Sequence, residues 1–588
     1  MIESLTEISN QVDKQRVIPY EWQKMGIKAI PKPGEKYLMG NKRGLFMTNN
    51  ISKVYERTVK ERNKDGFREG ITEWHAGGVT DRSTIDVTMI MMAIIEQNKY
   101  LKRNTYLVFT DAEKCFDKLW LLDGICELWR CGTDVRDCVM IKKLNEKAEI
   151  VVKTPVGDTE PFEMVDIVRQ GSVYGPQICI SSMDKINLLG KEAGTYYGPE
   201  LLLKAGIFVD DVTAGGGVKT GNNLIYNCSL MEERKKMTFN NKRGKTEYMI
   251  IGNFEEARTI SQRVKKGVIN RIKEHKMLGT WVDETGNYGV NIQKKKENLG
   301  FMLCTVKRQA SPKNVGIFAI EARLKLAEIV IISSILFNVE AFPVLREVEI
   351  KELESLQLGI LTSILEIPRT TPYHALLMEV GWWPMKGRIA YKKMMLFHNI
   401  MRSDKRRVLR KLLLAQEKEN RETTWLASVR REMERYRITL DVMNTEKSAW
   451  KSHVKKNINE EMEKEIRQKC NESKKARTVR NDKYERKSYL NGEVDLQMGK
   501  KILKTRLHMC RVPGNYKGNG SGMCPLCVEK EGSTEHYFQC KNTTELSKVW
   551  EVTVDEMGSH DVSKMKDVAR LLEKVEVLLD PNINIWKK

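Results

Sequence analysis

A chain of 588 residues holds roughly four domains at about 150 residues each, enough to bury several cores unaided, which excludes a toxin, a peptide or a lone binding module. With 100 Lys and Arg against 78 Asp and Glu, a net charge of +22, and 41% hydrophobic residues, it reads as a folded protein whose positive field draws a polyanion. Its 12 cysteines lack the dense spacing of a secreted disulfide scaffold, so a reducing compartment, nucleus or cytoplasm, is expected. No signal-peptide core opens the sequence and no apolar run reaches the ~20 residues of a membrane span, so no membrane is expected among its partners.

In chain order, Pro31-Lys32-Pro33-Gly34 marks a turn, and the stretch 81–100 reads as a helix with Ile85, Met89, Met92 and Ile95 at helical spacing. Tyr106-Leu107-Val108-Phe109-Thr110 reads as a buried strand ending at Asp111. A helix follows with Leu119, Leu122, Cys126 and Trp129 on one face and Gly132 just past its end. Gly206 to Thr213 places β-branched and aromatic residues on both sides of Asp210-Asp211, which suits a tight strand-turn-strand with the acids at its tip. Beyond residue 255 the pattern is mostly helical, with apolar segments at 321–337 and 350–365 and a charged stretch at 402–504. Within 451–510 there are 17 Lys and Arg against 9 Asp and Glu. Two readings stay open there: a solvated helix laced with i,i+4 ion pairs, or contact with nucleic acid.

Two constellations carry chemistry. Asp111 ends a buried strand and Asp210-Asp211 cap a hairpin, positions where carboxylates are hard to explain as solvated surface. Hard divalent cations take oxygen ligands, and a pair of them can activate a hydroxyl while stabilising a leaving pyrophosphate. An Asp-Asp pair alone is a weak sign, since most occur in turns. The second constellation is Cys524-x2-Cys527-x8-His536-x3-Cys540, three thiolates and an imidazole at spacings that wrap a tetrahedral zinc ion. Gly215-Gly216-Gly217-Val218-Lys219-Thr220 lacks the glycine that a phosphate loop needs before its lysine and reads as a flexible turn. His75 and His275 show no acid-base partner in the sequence.

The stretch from Ile27 to Trp281 resembles the reverse transcriptase core of non-LTR (LINE-type) retrotransposons. Phe109-Thr110-Asp111-Ala112-Glu113-Lys114-Cys115-Phe116-Asp117 is similar to the first palm motif, Val168-Arg169-Gln170-Gly171-Ser172-Val173-Tyr174-Gly175-Pro176 to the Gln-Gly motif, and Phe208-Val209-Asp210-Asp211 to the aspartate-pair motif. Gly244-Lys245-Thr246-Glu247 resembles the lysine motif and His275-Lys276-Met277-Leu278-Gly279 the primer-grip turn. Ile30 to Gly34 and Asn41-Lys42-Arg43-Gly44 resemble fingers segments that touch the incoming triphosphate. Trp74-His75-Ala76-Gly77-Gly78-Val79 departs from the Gln-x-Gly-Phe of many relatives, and Val209 stands where many have Ala. Neither departure removes a metal ligand.

The resemblance implies an α+β right-hand polymerase. Fingers would span 1–100, in a chain whose N-terminus is short for the family, the palm 101–255, an α-helical thumb 256–450, a basic helical arm 451–510, a zinc knuckle 511–545 and a helical tail 546–588. It implies an RNA-directed DNA polymerase, a nucleotidyltransferase, with two Mg²⁺ (or Mn²⁺) ions on Asp111, Asp210 and Asp211 and structural Zn²⁺ on Cys524, Cys527, His536 and Cys540. Lys245 would protonate the leaving pyrophosphate, and Phe116 would lie beneath the sugar and exclude a 2′-hydroxyl. Lys32, Arg43, Ala112, Gln170 and Gly171 would contact the nucleotide. The implied partners are an RNA template, a DNA primer or target DNA, and dNTPs. The 48 residues after Cys540 hold no nuclease pattern, so an endonuclease is expected to be supplied elsewhere or absent. Two other readings share the fold: an inactive or domesticated retroelement-derived nucleic-acid-binding protein, and a maturase-like splicing cofactor.

Overall fold

The computed structural model describes residues 2–31, 42–165, 168–169, 171–187, 193–235, 237–254, 256, 258–510, 512, 522–549 and 553–579. The chain forms two units: Met1–Asn287 with Ala341–Val344 and Ile400–Ser428, and Tyr288–Glu340 with Leu345–Asn399 and Val429–Lys588. In the first, α1 (Ile2–Gln15), β1 (Lys24–Pro31), β2 (Lys42–Thr48), α2 (Asn50–Arg62), α3 (Lys64–Gly70) and α4 (Thr84–Tyr100) precede β3 (Thr105–Asp111). Then come α5 (Cys115–Lys118), α6 (Leu121–Arg130), α7 (Val135–Glu146), β4 (Lys147–Thr154), β5 (Gly157–Asp158), β6 (Phe162–Val165) and α8 (Gly175–Asp184). Short strands β7 (Thr195–Tyr197) and β8 (Leu201–Leu203) lead to β9 (Ala205–Phe208), β10 (Asp211–Gly216), α9 (Val218–Arg234) and β11 (Glu247–Ile251). Five short strands follow: β12 (Arg263–Val264), β13 (Gly267–Val268), β14 (Asn270–Arg271), β15 (Glu274–Met277) and β16 (Thr280–Asp283).

The β-formers of Thr105–Asp111 make β3 the middle strand of a five-stranded sheet ordered β14-β11-β3-β10-β9. Six of its residues are buried, so both faces are covered. Alternation puts Leu107 and Val108 on opposite faces. A Cβ on Gly215 would meet Ile94, Met91 and Leu107, which sets α4 on the Leu107 face, and one on Gly221 would meet Val108, which sets α9 on the other. Helix α4 is buried nearly all round, as its run of Ile, Met and Val demands. A second five-stranded sheet pairs β1 antiparallel with β2 and parallel with β4, around Met25, Ala148 and Ile150.

The segment Leu119 to Trp129 turns out differently from its periodicity. Leu119 is buried, but Leu122, Cys126 and Trp129 lie on the solvent face of α6, and Leu121, Ile125 and Leu128 fill the core instead. The glycine run at 215–217 is the junction between β10 and α9.

Further along come α10 (Gly289–Gln309), α11 (Pro312–Val315), α12 (Ala319–Leu326), a π-helical stretch at Ala327–Ile332, α13 (Ser333–Ile335), α14 (Glu347–Leu365), α15 (Tyr373–Val380) and α16 (Met385–Met401). These are followed by α17 (Val408–Glu419), α18 (Trp425–Arg435), α19 (Lys447–Asn471), α20 (Leu496–Arg506), α21 (His536–Gln539), α22 (Thr544–Val549) and α23 (Val562–Leu579). Helix α17 belongs to the first unit, where Arg407 just before it holds the buried Asp86 of α4 through Nε at 2.7 Å and Nη2 at 3.0 Å. In the second unit α19 buries Trp450, Val454, Ile458, Met462, Ile466 and Cys470, one residue in four. Arg506, fully buried on α20, donates to Glu379 at 2.9 Å and to Asp482, and Tyr489 donates to the same Glu379. Among the described residues no helix is long and apolar enough to cross a membrane.

Candidate active site

The hairpin β9–β10 turns through Val209 and Asp210, with Phe208 paired to Asp211. Val209 has φ +62°, a left-handed conformation that favours glycine and strains a β-branched residue. The unfamiliar Trp74 to Val79 segment braces it. Ile207 N–H donates to Trp74 O at 3.0 Å and Ala76 N–H to Ile207 O at 2.7 Å, so the segment runs parallel beside β9. A Cβ on Gly77 would lie 2.4 Å from Val209 N, so only glycine lets the brace lie against the turn.

On the other side of β10, Asp211 pairs in register with Asp111 at the end of β3, bringing both acids to one edge with Asp210 in the adjoining turn. Lys245 Nζ donates to Asp111 Oδ1 at 2.8 Å. Its turn is tied to β3: Asn240 N–H donates to Asp111 O at 3.0 Å, Asp111 N–H to Thr246 Oγ1 at 3.2 Å, and Thr246 N–H to Asn240 O at 2.8 Å. Enclosure by the surrounding chain, then the Asp210 and Asp111 carboxylates, push the Asp211 carboxyl up to about 7 against the pull of Lys245. The Asp211 side chain is nonetheless open to solvent; water softens the enclosure, and crowding of like charge is the cause that counts. Three carboxylates at one strand edge, one of them driven towards neutrality by the others, form a donor set that a hard divalent cation relieves.

Of the residues expected at the nucleotide, Ala112 and Phe116 follow the end of β3, Gly171 precedes α8, and Arg43 lies in β2. Ala112 is buried and bridges to Phe239, and Phe116 in α5 is half-buried against the core. Glu113 between them accepts from Lys118 at 2.7 Å and Lys266 at 3.0 Å, which hold its carboxyl down at about 2. Gly171 has φ +101°, and a Cβ there would lie 2.7 Å from Phe46 O. Its flanks are clamped from α2: Glu56 accepts from Val173 N–H at 2.6 Å and Tyr174 N–H at 3.1 Å and faces the buried Arg169 at 3.5 Å. Arg169 also donates to Trp22 O at 3.1 Å and Asn145 Oδ1 at 3.3 Å. The Arg43 backbone pairs with Ile30 in the β1–β2 ladder. Lys32 and Gln170 lie outside the described residues.

Both histidines without a partner in the sequence acquire one in the fold. His75, fully buried, has Nδ1 3.5 Å from Asp184 Oδ1, and burial pushes its pKa down. His275 stacks on Phe109 of β3 at 3.9 Å, has Nδ1 3.5 Å from Glu247, and is likewise pushed down by burial. Beyond it, Leu278 at φ +47° and Gly279 at φ +86° close the β15–β16 hairpin as a two-residue turn with both central φ positive. Glu56 and Asp184 are the site-supporting residues the sequence does not announce. Each is an acid in a helix whose partners are distant in sequence.

Among the described residues one group of Cys, His, Asp or Glu brings its ligand atoms within 4.8 Å of one another: Cys524, Cys527, His536 and Cys540. The three aspartates are not drawn together so closely. Cys524 Sγ and Cys540 Sγ are 3.8 Å apart and Cys527 Sγ is 3.3 Å from His536 Nε2. Thiolates at about 2.3 Å from a tetrahedral zinc ion stand roughly 3.8 Å apart, so the residues fit that ion. Backbone N–H groups of Glu529 and Lys530 pull the Cys527 thiol below its ordinary range.

Residues 30–292 match the family model described as reverse transcriptase (RNA-dependent DNA polymerase). No curated protein matches the sequence. Among solved structures the chain is similar to apo telomerase from Candida tropicalis truncated from the C-terminal domain, with 14% identity and a TM-score of 0.30 over 47% of this chain and 57% of that one. It is also similar to telomerase from Candida albicans in complex with a TWJ fragment of telomeric RNA, with 11% identity and a TM-score of 0.28 over 64% of each chain. The chain thus spans little more than half the length of the first, and likenesses this low bear on neither fold nor function. The match to the family covers both the strand that ends at Asp111 and the hairpin that carries Asp210 and Asp211, and identifies residues 30–292 as a reverse transcriptase domain of right-hand polymerase type.

Proposed function

We propose that the chain is an RNA-directed DNA polymerase of the LINE type, extending a DNA primer on an RNA template with dNTPs. The observation that carries this reading is the in-register pairing of Asp111 with Asp211, with Asp210 in the adjoining turn, inside the matched domain. Two Mg²⁺ ions held by these three aspartates would activate the primer hydroxyl and stabilise the leaving pyrophosphate. Lys245, beside Asp111, would give a proton to the leaving group. Phe116 would sit beneath the sugar, with Gly171 and Ala112 lining the nucleotide and Lys32, Arg43 and Gln170 completing its contacts. Cys524, Cys527, His536 and Cys540 would hold a structural Zn²⁺ in a knuckle beyond the thumb and arm. Its workplace would be the nucleus or cytoplasm, with any endonuclease supplied by another protein.

Extension of a DNA primer on an RNA template with dNTPs and Mg²⁺ tests the reading. Asp210→Ala and Asp211→Ala should each lose activity by about 10³-fold, as removal of transition-state charge stabilisation does, while RNA binding persists. Wild-type extension by either variant would discard the assignment.

A further inference from the structure

We propose that the first half of α19 is a docking surface for the phosphate backbone of RNA, built from Lys447, Lys451, Lys455 and Lys456. The helix divides sharply by charge. From Lys447 to Asn459 it contains no Asp or Glu, and the four lysines are exposed. From Glu460 onwards cations and acids alternate, and the cations are paired: Lys464 with Glu461 at 3.6 Å, Arg467 with Glu463 at 2.6 Å, Lys469 with Glu472 at 3.1 Å. Among the described residues, no carboxylate lies within 4.0 Å of Lys447, Lys451, Lys455 or Lys456. The solvated, ion-paired helix is therefore an accurate account of the second half alone.

Geometry makes the four lysines one surface. The buried residues recur at Trp450, Val454 and Ile458, and Lys447, Lys451 and Lys455 recur at the same four-residue interval one position away. They form a ridge with successive charges one turn, or about 6 Å, apart. Lys456 flanks the ridge. Arg437 joins it: Asn457 Nδ2 donates to Arg437 O at 2.8 Å and to Tyr436 O at 3.1 Å, fixing an exposed cation beside the helix. Helix stability gives no reason for the arrangement, since lysines in the first turns face the positive end of the helix dipole. A ridge of unneutralised cations is what a polyanionic strand requires. RNA is the occupant because the same chain carries an RNA-dependent polymerase domain; for that choice alone the inference rests on the proposed function.

The test is the salt dependence of binding to a labelled single-stranded RNA, read without dNTPs or divalent metal, between about 50 and 200 mM salt. Replacing all four lysines with glutamine should lower the slope of log K against log salt by about 0.7 per lysine, close to three in all. The four Lys→Arg changes should keep the slope, and Lys464→Gln with Lys469→Gln should leave it at the wild-type value. Extension from saturating primer-template should be unaffected in every variant. An unchanged slope in the quadruple glutamine variant, an equal loss in the paired-lysine control, or a loss seen with DNA of the same sequence and not with RNA would each overturn the proposal. A chain that bound RNA through these lysines but extended nothing would instead remove the polymerase reading and leave this one standing.

Discussion

Lys245 sets its ammonium 2.8 Å from the Asp111 carboxylate, a side-chain cation inside the negative field of three aspartates. Two jobs are open to such a lysine, balancing charge or delivering a proton, and they separate in one variant. Lys245→Gln should slow extension by about 10²-fold, the lower range for a lost general acid. Because Lys245 opposes the rise in the Asp211 pKa, the variant's Asp211 should hold its proton to higher pH, so it should need more Mg²⁺ than the wild type near pH 7 and no more once the pH is well above that. A rate unchanged at saturating Mg²⁺ would leave charge balance as the lysine's role.

The Asp211 carboxyl, pushed up to about 7, would tie the proposed metal binding to pH. Below that value it holds a proton that a cation must displace, so the Mg²⁺ concentration for half-maximal extension should fall as pH rises through 7 and level off above it. The sign for stability is opposite. An acid whose folded pKa lies above its unfolded value of 3.8 binds more protons when folded, so in chelator-treated protein its contribution falls as pH rises from about 4 to about 7. Mg²⁺ titrations at three pH values and chelator-treated melts would show both trends; a flat Mg²⁺ requirement would contradict the crowding of like charge at this strand edge.

Glu56 and Arg169 predict a split between binding and turnover. Glu56 accepts the N–H groups of Val173 and Tyr174, two and three residues past Gly171, and faces a guanidinium with no exposure to solvent. Glu56→Gln keeps an acceptor but loses charge, and should raise the KM for dNTP by about tenfold, the worth of a charged hydrogen bond, with a smaller change in kcat. Glu56→Ala leaves a buried charge unpaired and should cost about 3–5 kcal/mol in stability. Equal loss of kcat and KM effects in the glutamine variant would place Glu56 in the fold and not behind the nucleotide.

Much of this site is legible because it is local. β3 and its Asp111, the hairpin around Asp210-Asp211 and the Cys/His spacing each show within a short window of residue types, while the joining of the three acids into one site rests on the resemblance of the motifs in their order. The supports are not local. His75 finds Asp184 and Arg169 finds Glu56, 113 residues away in sequence, and an acid in a helix gives no sign of which distant group it will meet. Helix α6 shows a subtler limit: it has two apolar stripes, and spacing identifies both without saying that Leu121, Ile125 and Leu128 face inwards.

The Cys524, Cys527, His536 and Cys540 group does not stand alone. Cys524, Cys527, Tyr537, Phe538 and Cys540 share a core with Leu571, Leu572 and Val575 of α23 and with Cys510. Metal binding contributes folding free energy to such a module. Cys524→Ser with Cys527→Ser should therefore expose α23 as well as the knuckle, seen as lost amide protection across 562–579, while β3 and β10 stay protected. Stoichiometric zinc should be found in the purified wild type. Full protection of α23 in the double variant would mean that the apolar core holds this region without metal.

Phe116 supplies the last prediction, because its surroundings let two roles be told apart. Its ring is half-buried, packed on the core that includes Ala112 and Cys115, and α5 begins after Lys114 in a left-handed conformation at φ +51°. The short helix is thus fixed just beyond Asp111, and in the proposed reading the exposed part of the ring would meet the sugar of the incoming nucleotide. A ring there leaves no room for a 2′-hydroxyl, the group that distinguishes RNA precursors from DNA precursors. Phe116→Val should cost stability of only about 1–2 kcal/mol, since half the ring lies outside the core. It should also raise the efficiency of ribonucleotide incorporation by at least about tenfold, with little change for dNTPs. Melting and single-nucleotide extension with paired rNTP and dNTP substrates check the two effects separately. A variant that loses stability while keeping its sugar discrimination would show that Phe116 serves the core and that selection against ribonucleotides comes from elsewhere in the domain.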